Sequence, residues 1–286
     1  MSKWDKEYIN LCKEILEKGT RVENRTGIDT IKIPFKSFEF DLEEEFPILT
    51  TKFVAFKSTV LEMLWFYQAK SNDVRWLQER GVKIWNEWEI DENGDYLGRK
   101  FPKEWAHTIG TAYGYIVNKF NLTDNLIDKL KNKPTDRRMI MSLWQNDYLE
   151  TAVLPSCVWN SMWDVTDGKL NGIVTCRSND VPLGMPFNIL QYAVLLHMLA
   201  QVTGLKPGKL YYNAKDLHIY VNQIDGIKEQ IKRYEELGDY PAPKLWLNPE
   251  IKDFFSFDNS KELKDIKLVD YKHHGKIQMP VAVWYH

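Results

Sequence analysis

The chain has 286 residues, 44% of them hydrophobic, and 38 basic against 40 acidic side chains give a formal net charge of −2. That near balance excludes a broad nucleic-acid surface, which needs a clustered basic excess, so any anion site must be a local group of arginines. No run approaches the roughly 18 consecutive apolar residues of a membrane span, and the charged start MSKWDKEYINLCKEILEKG lacks a signal-peptide apolar block; a soluble, cytoplasmic protein with no membrane and no DNA partner is expected.

Tyr8, Ile9, Cys12, Ile15 and Leu16 recur at helical spacing and predict an opening helix over 5–18, stopped by Gly19. Residues 30–40 alternate apolar and polar and predict a strand. A second helix is expected over 55–69, with Leu64, Trp65 and Phe66 on its apolar side. A loop and a short helix then lead to IWNEW at 84–88. The charged stretch 89–108, with a turn at DENGD, reads as a surface insertion. Residues 138–145, 157–166 and 169–177 read as strands, the last two joined by a hairpin turn at Asp167 and Gly168. Residues 188–203 are apolar nearly all round and predict a central buried helix ended by Gly204 and Pro207. A strand over 209–213, a helix over 217–234 and two further strand-like runs precede the terminal MPVAVWYH. No repeat, linker or composition shift interrupts the chain. Residues 1–286 are therefore expected to form one α/β domain of the α+β type, with a single large, mostly buried mixed sheet flanked by helices.

Cys12, Cys157 and Cys176 have no CxxC spacing and are odd in number, which argues against a disulfide framework or a zinc site; no metal is expected. Cys157 follows a proline in an apolar and aromatic run, as either a buried structural thiol or a nucleophile. Attack requires the thiolate, so nearby arginines are expected to lower its pKa. Arg25, Arg137, Arg138 and Arg177, with Ser178, suit a phosphate monoester as a set, although each alone could be a solvated or salt-bridged charge. Asn188 offers both a donor and an acceptor, or an N-cap. Glu62 lies among apolar neighbours; it is either an exposed helix-face charge or a buried carboxyl whose raised pKa suits proton relay. Trp85 and Trp88 could line a flat amphipathic ligand or belong to the core.

These motifs occur in a fixed order: NRTG, LP-x-C, RSND-x-x-LG-x-PFN, DLHIY and PVAV. The order resembles the thymidylate synthase family, within a superfamily that also holds pyrimidine hydroxymethylases, and the resemblance covers most of the chain. It implies folate-dependent C5 methylation of dUMP to dTMP. The co-substrate 5,10-methylenetetrahydrofolate would donate the one-carbon unit and the hydride. It also implies that fold, with the sheets of a homodimer packed back to back. Cys157 would add to C6 of uracil. Arg25, Arg177 and Ser178 would bind the 5′-phosphate, joined by Arg137 and Arg138 from the other subunit. Asn188 would read O4 and N3–H of the base. In the run from Asp216, His218 and Tyr220 would bond the ribose 3′-hydroxyl. Glu62 and Tyr113 would serve proton loss from C5. Ile84, Trp85, Trp88, Leu183, Gly184 and Phe187 would form the folate wall, and Asp180 would bond the pterin. A tail over 280–286, with Val281 and Ala282 in it, would close over the site.

The chain departs from the family pattern at four places. Met162 stands where glutamine is usual, which would remove a polar contact near the site. Val158 follows the cysteine where histidine is common. Lys215 replaces a glycine, which would add bulk and charge beside the nucleotide. Trp284, Tyr285 and His286 extend the terminus. An altered closure that admits water would give a 5-hydroxymethyl product instead, from dUMP or less readily dCMP. A non-catalytic nucleotide- or RNA-binding relative is the second alternative, which the full set of cysteine, arginines, asparagine and glutamate opposes.

Overall fold

In a computed structural model, which describes residues 1–281, the long antiparallel pairing of β2 (Thr30–Asp41) with β9 (Lys206–Tyr220) forms the spine of a seven-stranded sheet. β1 (Thr20–Val22) borders β2. On the other side of β9 come β7 (Lys169–Cys176), β6 (Val158–Thr166) and β5 (Ile140–Ser142), with the short β8 (Asn179–Asp180) also paired to β9. The β7–β9 and β8–β9 pairs are parallel and the others antiparallel, so the sheet is mixed. β6 and β7 meet at Asp167 and Gly168, both in the left-handed region with φ of +51° and +72°, as a two-residue hairpin turn requires.

One face of the sheet carries the core. α6 (Gly184–Thr203) packs on β7 and β9, and α2 (Phe56–Tyr67) packs on α6. α6 is long and apolar enough to cross a membrane by length and composition, but most of it is buried inside the protein. A helix enclosed by sheet on one side and helix on the other has no polar stripe to show. α1 (Lys3–Lys18) covers β2 and meets α7 (Ile224–Leu237). The buried carboxylate of Asp5 pins α1 by accepting the N–H and hydroxyl groups of Thr50 and Thr51 at 2.7–3.0 Å. The small helices α3 (Arg75–Gln78), α4 (Gly114–Lys119) and α5 (Leu122–Asn132) lie between α2 and β5. The hairpins β3 (Asp95–Tyr96) with β4 (Arg99–Lys100), and β10 (Lys244–Leu247) with β11 (Ile266–Val269), stand outside the main sheet. The first falls within 89–108, where Ile90 is fully buried.

Two boundaries differ from the expectation. α6 begins at Gly184, not Asn188, because Pro186 falls in its first turn, where a missing N–H costs nothing. Asn188 is therefore inside the helix and does not cap it. The predicted helix over 217–234 starts only at Ile224, since Leu217 to Tyr220 continue β9 and pair with Thr30 to Ile33. The strand outruns its predicted end at residue 213 because Asp216, with φ +54°, shifts the inward-facing phase from Ala214 to Leu217.

Gly114 opens α4 against backbone: a Cβ there would lie 1.9 Å from the carbonyl oxygen of Ser71. Gly114→Ala is expected to destabilise the protein by about 1–3 kcal/mol, the cost of forcing an atom into a packed interior. An unchanged urea midpoint would show that the turn yields.

Candidate active site

A cavity of about 610 Å³ lies between α2, α6, the end of β9, the loop before β6 and residues 84–99. Cys157 reaches it from the start of β6, next to Val158. Three groups hold the cysteine's loop. The Tyr113 hydroxyl accepts the Cys157 N–H at 2.9 Å. The Arg177 guanidinium donates to the Ser156 and Pro155 carbonyls at 3.0 and 2.6 Å, and the Arg177 N–H bonds the Cys157 carbonyl at 2.9 Å. The thiol is half-buried, and its free surface faces the cavity. Burial pushes its pKa up; Arg177 most, then Tyr113 and Arg25, pull it down without cancelling the rise. The expected lowered pKa is therefore not found in the isolated chain. Desolvation of a sulfur anion outweighs the two cations. Tyr113 itself has φ +44° and stacks on Phe66 at 4.3 Å. A tyrosine held in that region is backbone strain located at the site.

Glu62 projects from α2 into the cavity wall, so the exposed-face reading is excluded. The Trp85 indole N–H donates to one carboxyl oxygen and the Gln191 amide to the other. Its remaining exposure is to the cavity. Burial raises its pKa to about 7, against the pull of those two hydrogen bonds. Gln191 escaped the sequence reading. Its signal was an amide in the apolar run ILQYAVLL, three residues after Asn188 and so on the same helix face. The hydroxyls of Tyr67 and Tyr192, 2.5 Å apart, complete this polar floor.

Asn188 donates one amide N–H to the Tyr212 hydroxyl at 3.4 Å, and Tyr212 donates to Asn179 at 2.7 Å. The same amide nitrogen also donates to the Cys176 sulfur at 3.9 Å, and the Asn188 carbonyl oxygen remains for the cavity. His218 bonds the Asp216 carboxylate through Nδ1 at 2.9 Å, and Lys32 bonds the other Asp216 oxygen at 2.5 Å. The His218 bond, with Lys32 behind it, holds Asp216 at about 2. That leaves Nε2 of His218 for a ligand. Asp180 accepts the Leu183 N–H at 3.2 Å, and burial raises its pKa against the charge of His218. The wholly buried Gln223 donates to Asp180 at 3.4 Å and to the Pro280 carbonyl at 3.0 Å, and accepts the Tyr220 N–H at 3.1 Å. One side chain thus links the tail, β9 and Asp180.

Trp85 meets Trp65, Phe66, Trp88 and Tyr113 at centroid distances of 5.5–6.1 Å. It is both core and wall. Ile84, Trp88, Leu183, Gly184, Phe187 and Val281 continue the wall, while Arg25, Ser178, His218 and Tyr220 line the polar end. Ala282 and the extension Trp284, Tyr285 and His286 lie outside the described residues.

Several expected residues are not brought to the cavity of their own chain. Arg177 sits behind the cysteine loop, 5.6 Å from the Trp144 ring. Asp216 acts through His218. Arg137 and Arg138 are exposed in the turn before β5, with Arg138 paired to Asp136 at 2.9 Å. Met162 and Lys215 lie on the open face of the sheet, so within one chain neither is beside the cavity. Alternation along β6 and β9 turns both side chains away from the core.

A thiol, a carboxyl whose pKa burial raises to about 7 and a side-chain amide converge on an aromatic cavity, the parts of an enzyme site built for nucleophilic chemistry. The family model described as thymidylate synthase matches residues 6–283. A thymidylate synthase of Clostridium beijerinckii is 51% identical, over 99% of this chain and 100% of the relative. One of Bacillus licheniformis is 40% identical at the same coverages. The solved structure of thermostable thymidylate synthase A from Bacillus subtilis superposes with a TM-score of 0.85 at 38% identity, covering 97% of this chain and 99% of that one. The chain belongs to the thymidylate synthase family.

The folded-state pKa of Glu62 lies above its ordinary value of 4.5. Its contribution to stability is thus fully present below about pH 4.5 and is lost as the pH rises through 7. Glu62→Gln removes that titration, and Gln191 can turn its amide to accept. The variant should gain about 2–3 kcal/mol relative to the parent at pH 8 compared with pH 4. Urea denaturation at both pH values measures the difference; parallel stability curves would place the carboxyl in water.

Proposed function

We propose that the chain methylates dUMP at C5 to give dTMP, with 5,10-methylenetetrahydrofolate as co-substrate. The observation that carries this reading is the convergence of Cys157, Glu62 and Asn188 on one aromatic-walled cavity. The thiol of Cys157 adds to C6 of uracil, which makes C5 nucleophilic. The Asn188 amide, with its carbonyl oxygen open to N3–H and its long N–H contacts available for exchange to O4, suits uracil; cytosine reverses that pair. Glu62, titrating near neutrality, and Tyr113 serve the departure of the C5 proton. Arg25 and Ser178 take the phosphate, Arg177 adds its charge from behind the cysteine loop, and His218, held by Asp216, takes the ribose hydroxyl with Tyr220. Bound folate supplies the one-carbon unit and the hydride. Trp85, Trp88, Ile84, Leu183 and Phe187 offer the flat apolar wall its ring system needs, Gly184 leaves room beside it, and Asp180 meets the pterin. The tail at Val281 closes over the site and excludes water, which favours hydride over a hydroxymethyl outcome.

The active unit is a cytoplasmic homodimer. Ile140, Met162, Ile173 and Tyr211 form one lateral row across the open face of the sheet. Ile140 is 49% exposed, and Phe35 on the same sheet is 58% exposed. Such an apolar row suits a second sheet packed back to back. Arg137 and Arg138, in the turn entering the edge strand β5, then reach the partner's phosphate site.

The deciding experiment follows nucleotide and folate products together by mass spectrometry. Formation of dTMP with dihydrofolate is expected; a 5-hydroxymethyl nucleotide with tetrahydrofolate would overturn the methyl assignment. Cys157→Ala should abolish turnover yet still bind dUMP. Glu62→Gln should lower kcat by about 10²–10⁴-fold. Ile173→Lys should convert the dimer to a monomer in light scattering and weaken dUMP binding; a monomer with unchanged binding would remove Arg137 and Arg138 from the site.

A further inference from the structure

The segment 89–108 brings a further cation to the cavity. The turn between β3 and β4 passes through Leu97 and Gly98, with φ of +49° and +81°, and places Tyr96, Leu97 and Arg99 at the cavity mouth. Arg99 donates only to neutral groups: the carbonyls of Val153, Glu150 and Ala152 at 3.4, 2.9 and 3.1 Å. The nearby cations Arg75 and Lys100 are paired with Asp73 and Asp95, whereas among the described residues Arg99 has no carboxylate in reach. A guanidinium held by carbonyls keeps its full charge and a fixed orientation. Arg25 and Tyr96 line the same cavity as Arg99, and both guanidiniums counter the rise that burial gives the Tyr96 hydroxyl pKa. Leu97, 47% exposed and left-handed, faces the same mouth as Ile84 and Val281. The left-handed pair Leu97–Gly98 is the two-residue turn of the hairpin, and it sets an apolar side chain at the cavity mouth.

We propose that Tyr96, Leu97 and Arg99 form a subsite for an oxyanion carried by one of the two substrates, the nucleotide phosphate or the glutamate carboxylate of the folate, with Leu97 packing on the adjoining apolar part. The subsite rests on the dUMP and folate reading above. It makes the hairpin a specificity element and not only a surface excursion.

The test uses full-length Arg99→Gln and Arg99→Lys beside the parent. Calorimetry gives the affinity for dUMP and for deoxyuridine; steady-state kinetics at saturating dUMP gives KM for monoglutamyl and triglutamyl methylenetetrahydrofolate; thermal melts report the loop contacts. Arg99→Gln is expected to weaken one substrate by about fivefold to tenfold, the worth of one charged hydrogen bond in a partly open site. Arg99→Lys should recover most of that loss, because a single charge suffices for an oxyanion. Loss confined to dUMP and absent for deoxyuridine assigns the phosphate; loss confined to the folate KM assigns the carboxylate. Unchanged binding of both, or a joint loss that follows melting temperature and is not rescued by lysine, overturns the proposal and leaves Arg99 as a clamp on residues 150–153. A parent protein that makes no dTMP would contradict the underlying reading instead, and the nucleotide titrations would still decide the phosphate arm.

Discussion

Everything around the cavity is arranged about a carboxyl that water does not solvate freely. Glu62 comes from α2, its indole partner Trp85 from the loop after α3, and its amide partner Gln191 from α6. An unpaired carboxyl in that position would cost several kcal/mol. The two donors lower that cost, and in doing so fix the spacing of three separate elements. The aromatic wall inherits its position from Trp85, and the cavity-lining Asn188 inherits its face from the helix that carries Gln191. The acid, the wall and the amide therefore cannot be placed independently.

The cysteine is held by a different device. Its loop offers main-chain carbonyls to Arg177 on one side and to Arg99 on the other, while Tyr113 takes its N–H. These are bonds from cations to neutral acceptors. They orient the loop and leave positive charge in the neighbourhood of the site, so the groups that shape the loop also shape its field.

Most of the architecture was legible because each long element has its own period. α1, α2, α6 and β2 announce themselves by spacing, and the Asp167–Gly168 turn by its residue pair. The misread boundaries fall where one residue breaks the period: Pro186 hid the first turn of α6, and Asp216 disguised the last third of β9. In the site, the residues with strong motifs were found, and most of those line the cavity. Gln191, Tyr192, Tyr67 and Gln223 were not, because each is an ordinary polar residue whose role arises from what it faces across the fold. The placements of Arg177, Met162 and Lys215 could not be read either. Strand alternation decides Met162 and Lys215, with a phase set by a register that sequence alone does not show, and Arg177, just past β7, is placed by its bonds to the Pro155 and Ser156 carbonyls.

Burial of the Cys157 sulfur also bears on how the protein survives between turnovers. Peroxides and electrophiles attack thiolates, and the step from thiol to sulfenic acid is gated by ionisation. Burial raises the Cys157 pKa against the pull of Arg177 and Arg25, and so opposes formation of the thiolate. The same desolvation that opposes ionisation of the sulfur thereby also opposes its oxidation, since both pass through the thiolate.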